Sequence, residues 1–199
     1  IVGGPYGVLE VGAAIAREFA GRGVKLGLCA RSQPVLEGAD SVLAARFDVS
    51  DEAAMEQFAA AVSARFGAID LWINNAGVLE PIAPVRDVPV AEFRRHIEVN
   101  LTGVFLGSRC YIRHVRSHGR GGVLINLSSG AAWHGYAGWG AYCAGKAGVE
   151  RLTECIALEE AAAGLRVHAL APGVVDTDMQ AQIRACDTDR FPAVERFHE

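Results

Sequence analysis

Apolar, β-branched runs alternate with alanine-rich stretches along the chain. Strand patterns fall at 24–30 (VKLGLCA), 42–49 (VLAARFDV), 69–75 (IDLWINN), 122–129 (GVLINLSS) and 165–173 (LRVHALAPG). Each is almost continuously apolar instead of alternating, as expected of strands covered on both faces. Helical patterns fall at 12–21, at 52–66, at 90–118 with a break, and at 139–163. Within 52–66, Ala53, Met55, Phe58, Ala59, Val62 and Phe66 share one stripe. This alternation predicts an α/β fold: a Rossmann-type, doubly wound parallel sheet flanked by helices in three layers. Ile1 and Val2 precede a glycine-rich stretch, so the chain is expected to start inside its first strand. No repeat or linker divides residues 1–199, which read as a single domain.

Composition narrows the function classes. Hydrophobic residues make up 51% and charged residues 21%, which suits a globular chain with one sizeable core. The net charge is −4 and the arginines are interspersed with acids. No basic stripe points to nucleic acid, and neither a polybasic run nor an apolar run of membrane-spanning length points to a bilayer. Cysteines 29, 110, 143, 155 and 186 are odd in number and widely spaced, the pattern of thiols in a reducing cytoplasm. His114 and His118 stand four residues apart, but Arg113, Arg116 and Arg120 around them would repel a cation, so no metal site is expected.

The chain holds two lysines, Lys25 and Lys146, against seventeen arginines. Lys146 follows Tyr142 by one helical turn, so both lie on one face of the helix predicted at 139–163. An ammonium about 4 Å from a phenol favours the phenolate by about 4 kcal/mol at an effective dielectric near 20. Such a contact would bring a tyrosine pKa down toward about 7 and make Tyr142 a general acid suited to neutral pH. The broad guanidinium fork of an arginine is no substitute. Thirteen residues before Tyr142, the strand at 122–129 ends in two serines. The spacing favours Ser129 over Ser128 as a hydroxyl that polarises a carbonyl at the carboxyl edge of the sheet.

The motifs NNAG (74–77), VNLTG (99–103), NLSSG (126–130), YCAGK (142–146) and APGVVDTDM (171–179) occur in this order. Together they resemble the short-chain dehydrogenase/reductase family. Within it, the stretches 138–160 and 171–180 look most like sepiapterin reductase and bacterial reductases of vicinal dicarbonyls such as benzil. The resemblance implies that Tyr142 protonates the substrate oxygen and that Lys146 tunes the tyrosine and holds the nicotinamide ribose. It also implies that Ser129 orients the carbonyl and that Asn100 maintains a water-linked proton path to Lys146. Asn75, Ala76 and Gly77 would line the cofactor, and Pro172, Gly173 and Thr177 would cover its nicotinamide. Segment 174–199 would be a substrate lid, with Trp139 and Met179 against the substrate. The chain would be short at both ends and would assemble as a homodimer or homotetramer.

Two features bear on the cofactor. Arg31 follows the strand at 24–30 where NAD binders usually place an acid, and an arginine there suits the 2′-phosphate of NADPH. Asp48 matches the family position that meets the adenine, and it could equally cap the helix near Glu52. The phosphate loop departs from the family's T-G-x-x-x-G-x-G. Gly3 and Gly7 keep their spacing, while Val2 replaces the threonine and Leu9 the third glycine. Gly12 is the alternative helix-opening glycine. The expected activity is NADPH-dependent reduction of a small ketone, a vicinal dicarbonyl above all. The rival readings are an NAD-dependent alcohol dehydrogenase and a non-catalytic NADPH-binding regulator.

Overall fold

The computed structural model describes residues 8–36 and 41–197. Its main elements, in order, are α1 (Val8–Gly21), β1 (Leu26–Ala30), β2 (Val42–Arg46), α2 (Glu52–Phe66) and β3 (Leu71–Asn74). Then come α3 (Val90–Ile97), α4 (Gly103–His118), β4 (Gly122–Leu127), α5 (Gly140–Glu160), β5 (Leu165–Leu170) and α6 (Asp178–Arg184). All described strand pairs are parallel: β1 with β2, and β3 with β4 with β5, in registers such as Leu26↔Val42, Ile73↔Ile125 and Ile125↔His168. The strand expected at Ile1–Val2 lies outside the described residues.

The five strands predicted between 24 and 173 are present; β1 ends at Ala30 as predicted, and the other four stop short at the carboxyl end, where the apolar run continued. Residues 47–49, 128–129 and 171–173 leave the ladder, and these departures carry much of the chemistry. Predicted helix 12–21 starts earlier, at Val8. In α2 the buried residues are Met55, Phe58, Ala59 and Val62, while Ala53 faces solvent. The helix is opened by Asp51, whose carboxylate accepts from the Ala54 amide at 3.0 Å, so Asp48 is not its cap. Gly67 closes it at φ 88, a left-handed value that glycine adopts without strain.

The side chains of β1 show why its sequence is apolar throughout. Leu26 and Leu28 pack with Ala16 and Phe19 of α1 on one face. Cys29 joins the opposite core with Met55, Phe58 and Val62 of α2. A methyl at Gly27 would come within 2.6 Å of Val62, so the strand can sit close under that helix only with glycine there. Two ion pairs, Arg109–Glu52 and Arg113–Glu56, run along the exposed seam between α4 and α2. They fix the register of the two helices more than they stabilise them, because exposed pairs contribute little.

Beneath the carboxyl edge of β3 and β4 lies a buried polar network. Asn74 Nδ2 donates to Asn126 Oδ1 at 2.8 Å and to Ser108 Oγ at 3.1 Å, while Asn74 Oδ1 accepts from Trp72 Nε1 at 2.8 Å. Asn126 Nδ2 donates to Thr153 Oγ1 at 2.9 Å, and Thr153 donates to the Val149 carbonyl. The network ties two strands to α4 and α5, and burial makes each bond costly to lose. Gly107 lets α4 approach it: a β-carbon there would lie 2.2 Å from Asn74 Oδ1. Gly107→Ala should therefore destabilise the protein by about 1–3 kcal/mol, and the melting temperature will measure the loss. An unchanged melting temperature would show that the network yields freely.

Candidate active site

The predicted break in the long 90–118 helix is real, and it carries a site residue. Between α3 and α4 the backbone widens into a π-helical turn at Glu98–Thr102, a form often found where a helix serves a site. Asn100 sits in this turn, fully buried. Its Oδ1 accepts from the Val78 amide and its Nδ2 donates to the Val78 carbonyl, each at 2.7 Å, which clamps the loop after β3. Gly77 lies beside that clamp. A β-carbon there would be 3.3 Å from Asn100 Oδ1 and 3.7 Å from Lys146 Nζ, so this glycine keeps the space between the two groups open.

Tyr142 and Lys146 share the inward face of α5, both buried as the helical spacing requires. Lys146 Nζ donates to the Leu127 carbonyl at the end of β4 at 2.7 Å and lies 5.8 Å from the centre of the Tyr142 ring. A backbone carbonyl of β4 thus anchors the ammonium beside the tyrosine ring. Burial dominates both groups. It pushes the Tyr142 phenol above its ordinary range, opposed by a hydrogen bond with Ser129, and it brings Lys146 down to about 8. Contrary to the expectation from helical spacing, Tyr142 is not drawn toward neutrality, because burial of the phenol dominates its ionisation. A phenol that stays protonated is the form a proton donor requires.

Ser129, not Ser128, is the serine bonded to Tyr142. It leaves β4 in an extended conformation, accepts from the Ala131 amide at 3.2 Å and opens a single 3-10 turn that faces Tyr142 across the loop.

These groups border a cavity of about 340 Å³ at the carboxyl edge of the sheet, where parallel α/β folds hold ligands. Asn75, Gly77, Ser129, Tyr142, Lys146, Pro172, Gly173, Thr177, Trp139 and Met179 all line it. Gly173 has φ 79 and turns the chain over the cavity. Thr177 caps α6 through the Gln180 amide.

Ala76, Asp48, Arg31 and Gly12 are not among the residues that line this cavity. The Ala76 methyl packs into the main core and not into the cavity. Asp48 is held by Arg95 and by the Ser50 amide and hydroxyl, away from the cavity lining. Arg31 follows β1, and its carbonyl accepts from Arg46 Nε at 3.0 Å. Gly12 is inside α1, not at its start, and a β-carbon there would meet Asn75 Nδ2 at 2.6 Å. It therefore serves close packing of α1 onto the loop after β3. Gly3 and Gly7 lie outside the described residues. His114 accepts from the Ile69 amide, and no metal-binding cluster occurs among the described residues.

The far wall was less legible in the sequence. Trp139 stacks on Phe191 with centroids 4.3 Å apart and meets Tyr142 edge-on. Phe191 is fully buried, although the sequence around it is polar. Gln180 lines the cavity from α6, and its signal was present as the pattern Thr177-x-x-Gln180 at a helix start. Ser128 Oγ, Trp139 Nε1 and Gln180 Oε1 are buried along this cavity without a protein partner, so a polar ligand has groups to satisfy there.

The model of the short-chain dehydrogenases matches residues 1–187. The chain belongs to that family. It is 39% identical over 186 residues to cis-4-hydroxycyclohexanecarboxylate dehydrogenase of Sinomonas cyclohexanicum, covering 88% of this chain and 73% of that protein. It is 39% identical over 127 residues to the (S)-benzoin-forming benzil reductase of Bacillus cereus, covering 63% of this chain and 51% of the relative. Among solved structures, levodione reductase superposes with a TM-score of 0.84 at 34% identity, over 98% of this chain and 80% of its own. The protein is accordingly an oxidoreductase of hydroxyl and carbonyl groups that uses a nicotinamide cofactor. No described helix is long and apolar enough to cross a membrane.

The residues present suit that cofactor. Gly77 leaves a cradle that a β-carbon would fill, and Asn75, Lys146, Pro172 and Thr177 surround it. Burial lowers Lys146, so its ammonium is lost as pH rises through about 8, while Tyr142 stays a phenol. Carbonyl reduction should hold its rate from neutral pH to about 8 and decline above it, as a pH series of kcat will show. A rate that stays flat to pH 10 would mean that the Lys146 charge is dispensable.

Proposed function

We propose that the protein is an NADPH-dependent carbonyl reductase acting on a small ketone, with a vicinal dicarbonyl as its best substrate class. The observation that carries this reading is the buried, protonated Tyr142 phenol, bonded by Ser129 and backed by Lys146, at the wall of a largely apolar cavity. When bound, the nicotinamide supplies hydride. Ser129 holds the substrate oxygen against Tyr142, and the phenol gives up its proton as that oxygen becomes an alkoxide. The Lys146 ammonium, anchored on the Leu127 carbonyl, balances the charge left on Tyr142. Asn100 keeps the loop at Val78 in place beside Lys146.

Segment 174–197 acts as a lid: α6 brings Met179 and Gln180 to the cavity, and Phe191 and Phe197 seat it against Trp139. Two of the similar proteins are named as reductases of diones, benzil and levodione, which supports a dicarbonyl substrate. Exposed Phe105 on α4 and Leu158 on α5 give those helices apolar surface for a homo-oligomer.

The test is NADPH oxidation with an aromatic vicinal diketone. The wild-type protein should turn over, and Tyr142→Phe should lose about 10²–10⁴-fold in kcat with cofactor affinity almost unchanged. A variant that keeps most of its rate would remove Tyr142 from the mechanism. Absence of NADPH binding in the wild type would instead favour a protein without this activity. For the cofactor, Arg31→Asp should shift the preference for NADPH over NADH by about tenfold to a hundredfold. If the ratio of the two dissociation constants stays put, Arg31 does not read the phosphate and the NAD-dependent reading gains.

A further inference from the structure

His96, in the last turn of α3, matched no motif and is among the most deeply buried side chains of the protein, 1% exposed. Its two nitrogens have unequal partners. Nδ1 lies 2.6 Å from the Glu80 carbonyl, which can only accept, so Nδ1 carries the proton. Nε2 lies 2.7 Å from Asn100 Nδ2. The orientation of that amide is set independently, because the Val78 amide donates to Oδ1 and the Val78 carbonyl accepts from Nδ2. Asn100 therefore offers His96 an N–H, and Nε2 must present a lone pair. One protonation state satisfies all four groups: the neutral Nδ1–H imidazole.

A second proton on the ring would set N–H against N–H. Turning the amide over offers no escape, since Oδ1 would then face the Val78 carbonyl and the NH₂ group would face the Val78 amide. The ring also touches the rest of the site. It meets the Tyr142 ring edge-on, with centroids 6.0 Å apart, and a β-carbon at Gly145 would lie 3.3 Å from Nε2. The ionisable groups that face it are Lys146 and Tyr142 from α5; the loop after β3 presents the Glu80 carbonyl and the π-helical turn presents Asn100. Burial and the Lys146 charge both oppose an imidazolium, and only the Glu80 carbonyl favours it.

We propose that His96 is a positioning residue for Asn100: its neutral Nδ1–H form locks the amide and the clamped Val78 loop beside Lys146, and its protonation sets the acid limit of turnover. This rests on the reductase reading above. Because burial lowers the His96 pKa, the neutral form persists somewhat below pH 6.5 and is lost only as pH falls further. The acid limit belongs to His96, whereas Tyr142 and Lys146 are both protonated throughout that range.

The test uses the wild-type protein with NADPH bound. Long-range ¹H–¹⁵N spectra of the histidines, with His96 assigned by its loss in His96→Gln, should show protonated Nδ1 and bare Nε2 at neutral pH. On acidification, the His96 titration, the shift of the Asn100 side-chain amide and the fall in kcat should share one midpoint. His96→Gln keeps an acceptor toward Asn100 without a titrating ring. It should retain activity within about tenfold at neutral pH and lose the acid limb, because one hydrogen bond changes geometry but none disappears. A protonated Nε2, or an Asn100 amide that ignores the His96 titration, overturns the proposal, and the wild-type spectra decide this even if the variant does not fold. If no carbonyl compound turns over, the reductase reading fails, while the shared midpoint of His96 and Asn100 still judges the lock.

Discussion

Two amides, Asn74 on β3 and Asn126 on β4, hold the site from below. Their 2.8 Å bond joins neighbouring strands at the point where both are about to leave the sheet. Asn126 extends the link through Thr153 to α5, and Asn74 extends it through Ser108 to α4. The groups the candidate chemistry needs follow directly from these anchors: Asn75 and Gly77 just beyond β3, Ser128 and Ser129 just beyond β4, and Tyr142 and Lys146 on α5, two to three turns before Thr153. A half-satisfied polar network in this position would be costly, because nothing replaces a lost partner at full burial. Satisfied, it gives the loops a common rigid base.

On that base the site is layered by polarity. The lower layer is polar and paired: Asn100 bonds Val78 twice, His96 bonds Asn100 and Glu80, and Lys146 bonds Leu127. The upper layer is mostly aromatic and aliphatic, built from Trp139, Phe191, Ile183 and Leu79. Tyr142 spans the two, its ring in the apolar cluster and its hydroxyl at Ser129. That position explains why burial dominates its ionisation. The same dry wall that excludes water from a reacting carbonyl also keeps the phenol protonated.

Much of this was legible in the sequence. The five strands and four long helices followed from apolar runs and periodicity, because a doubly covered sheet needs continuous hydrophobic strands. The break before α4 was visible as well, although not its π-helical form. The Tyr142–Lys146 pairing needed only the pitch of a helix, and Ser129 needed only its place after a strand. The electrostatics were not legible, since the direction of a pKa shift depends on how much water and which carbonyl reach a group. Leu127 offers Lys146 an acceptor from a strand nineteen residues earlier in the chain, and no local pattern shows that.

The sequence by itself determined which residue types could do chemistry and the order in which strands and helices would present them, because spacing along one element is a local property. Only the tertiary structure decided that Ala76 turns into the core while Gly77 stays open, and that Asp51 caps α2 while Asp48 pairs with Arg95. It also decided that Phe191, in a polar stretch, would be buried against Trp139, and that a histidine without a motif would stand between Glu80 and Asn100. Apart from the Asp51 cap, each of these is a contact between segments far apart in the chain. Partners at such distances are selected by packing and by the need to satisfy every buried polar group, and neither is written in any one stretch of sequence.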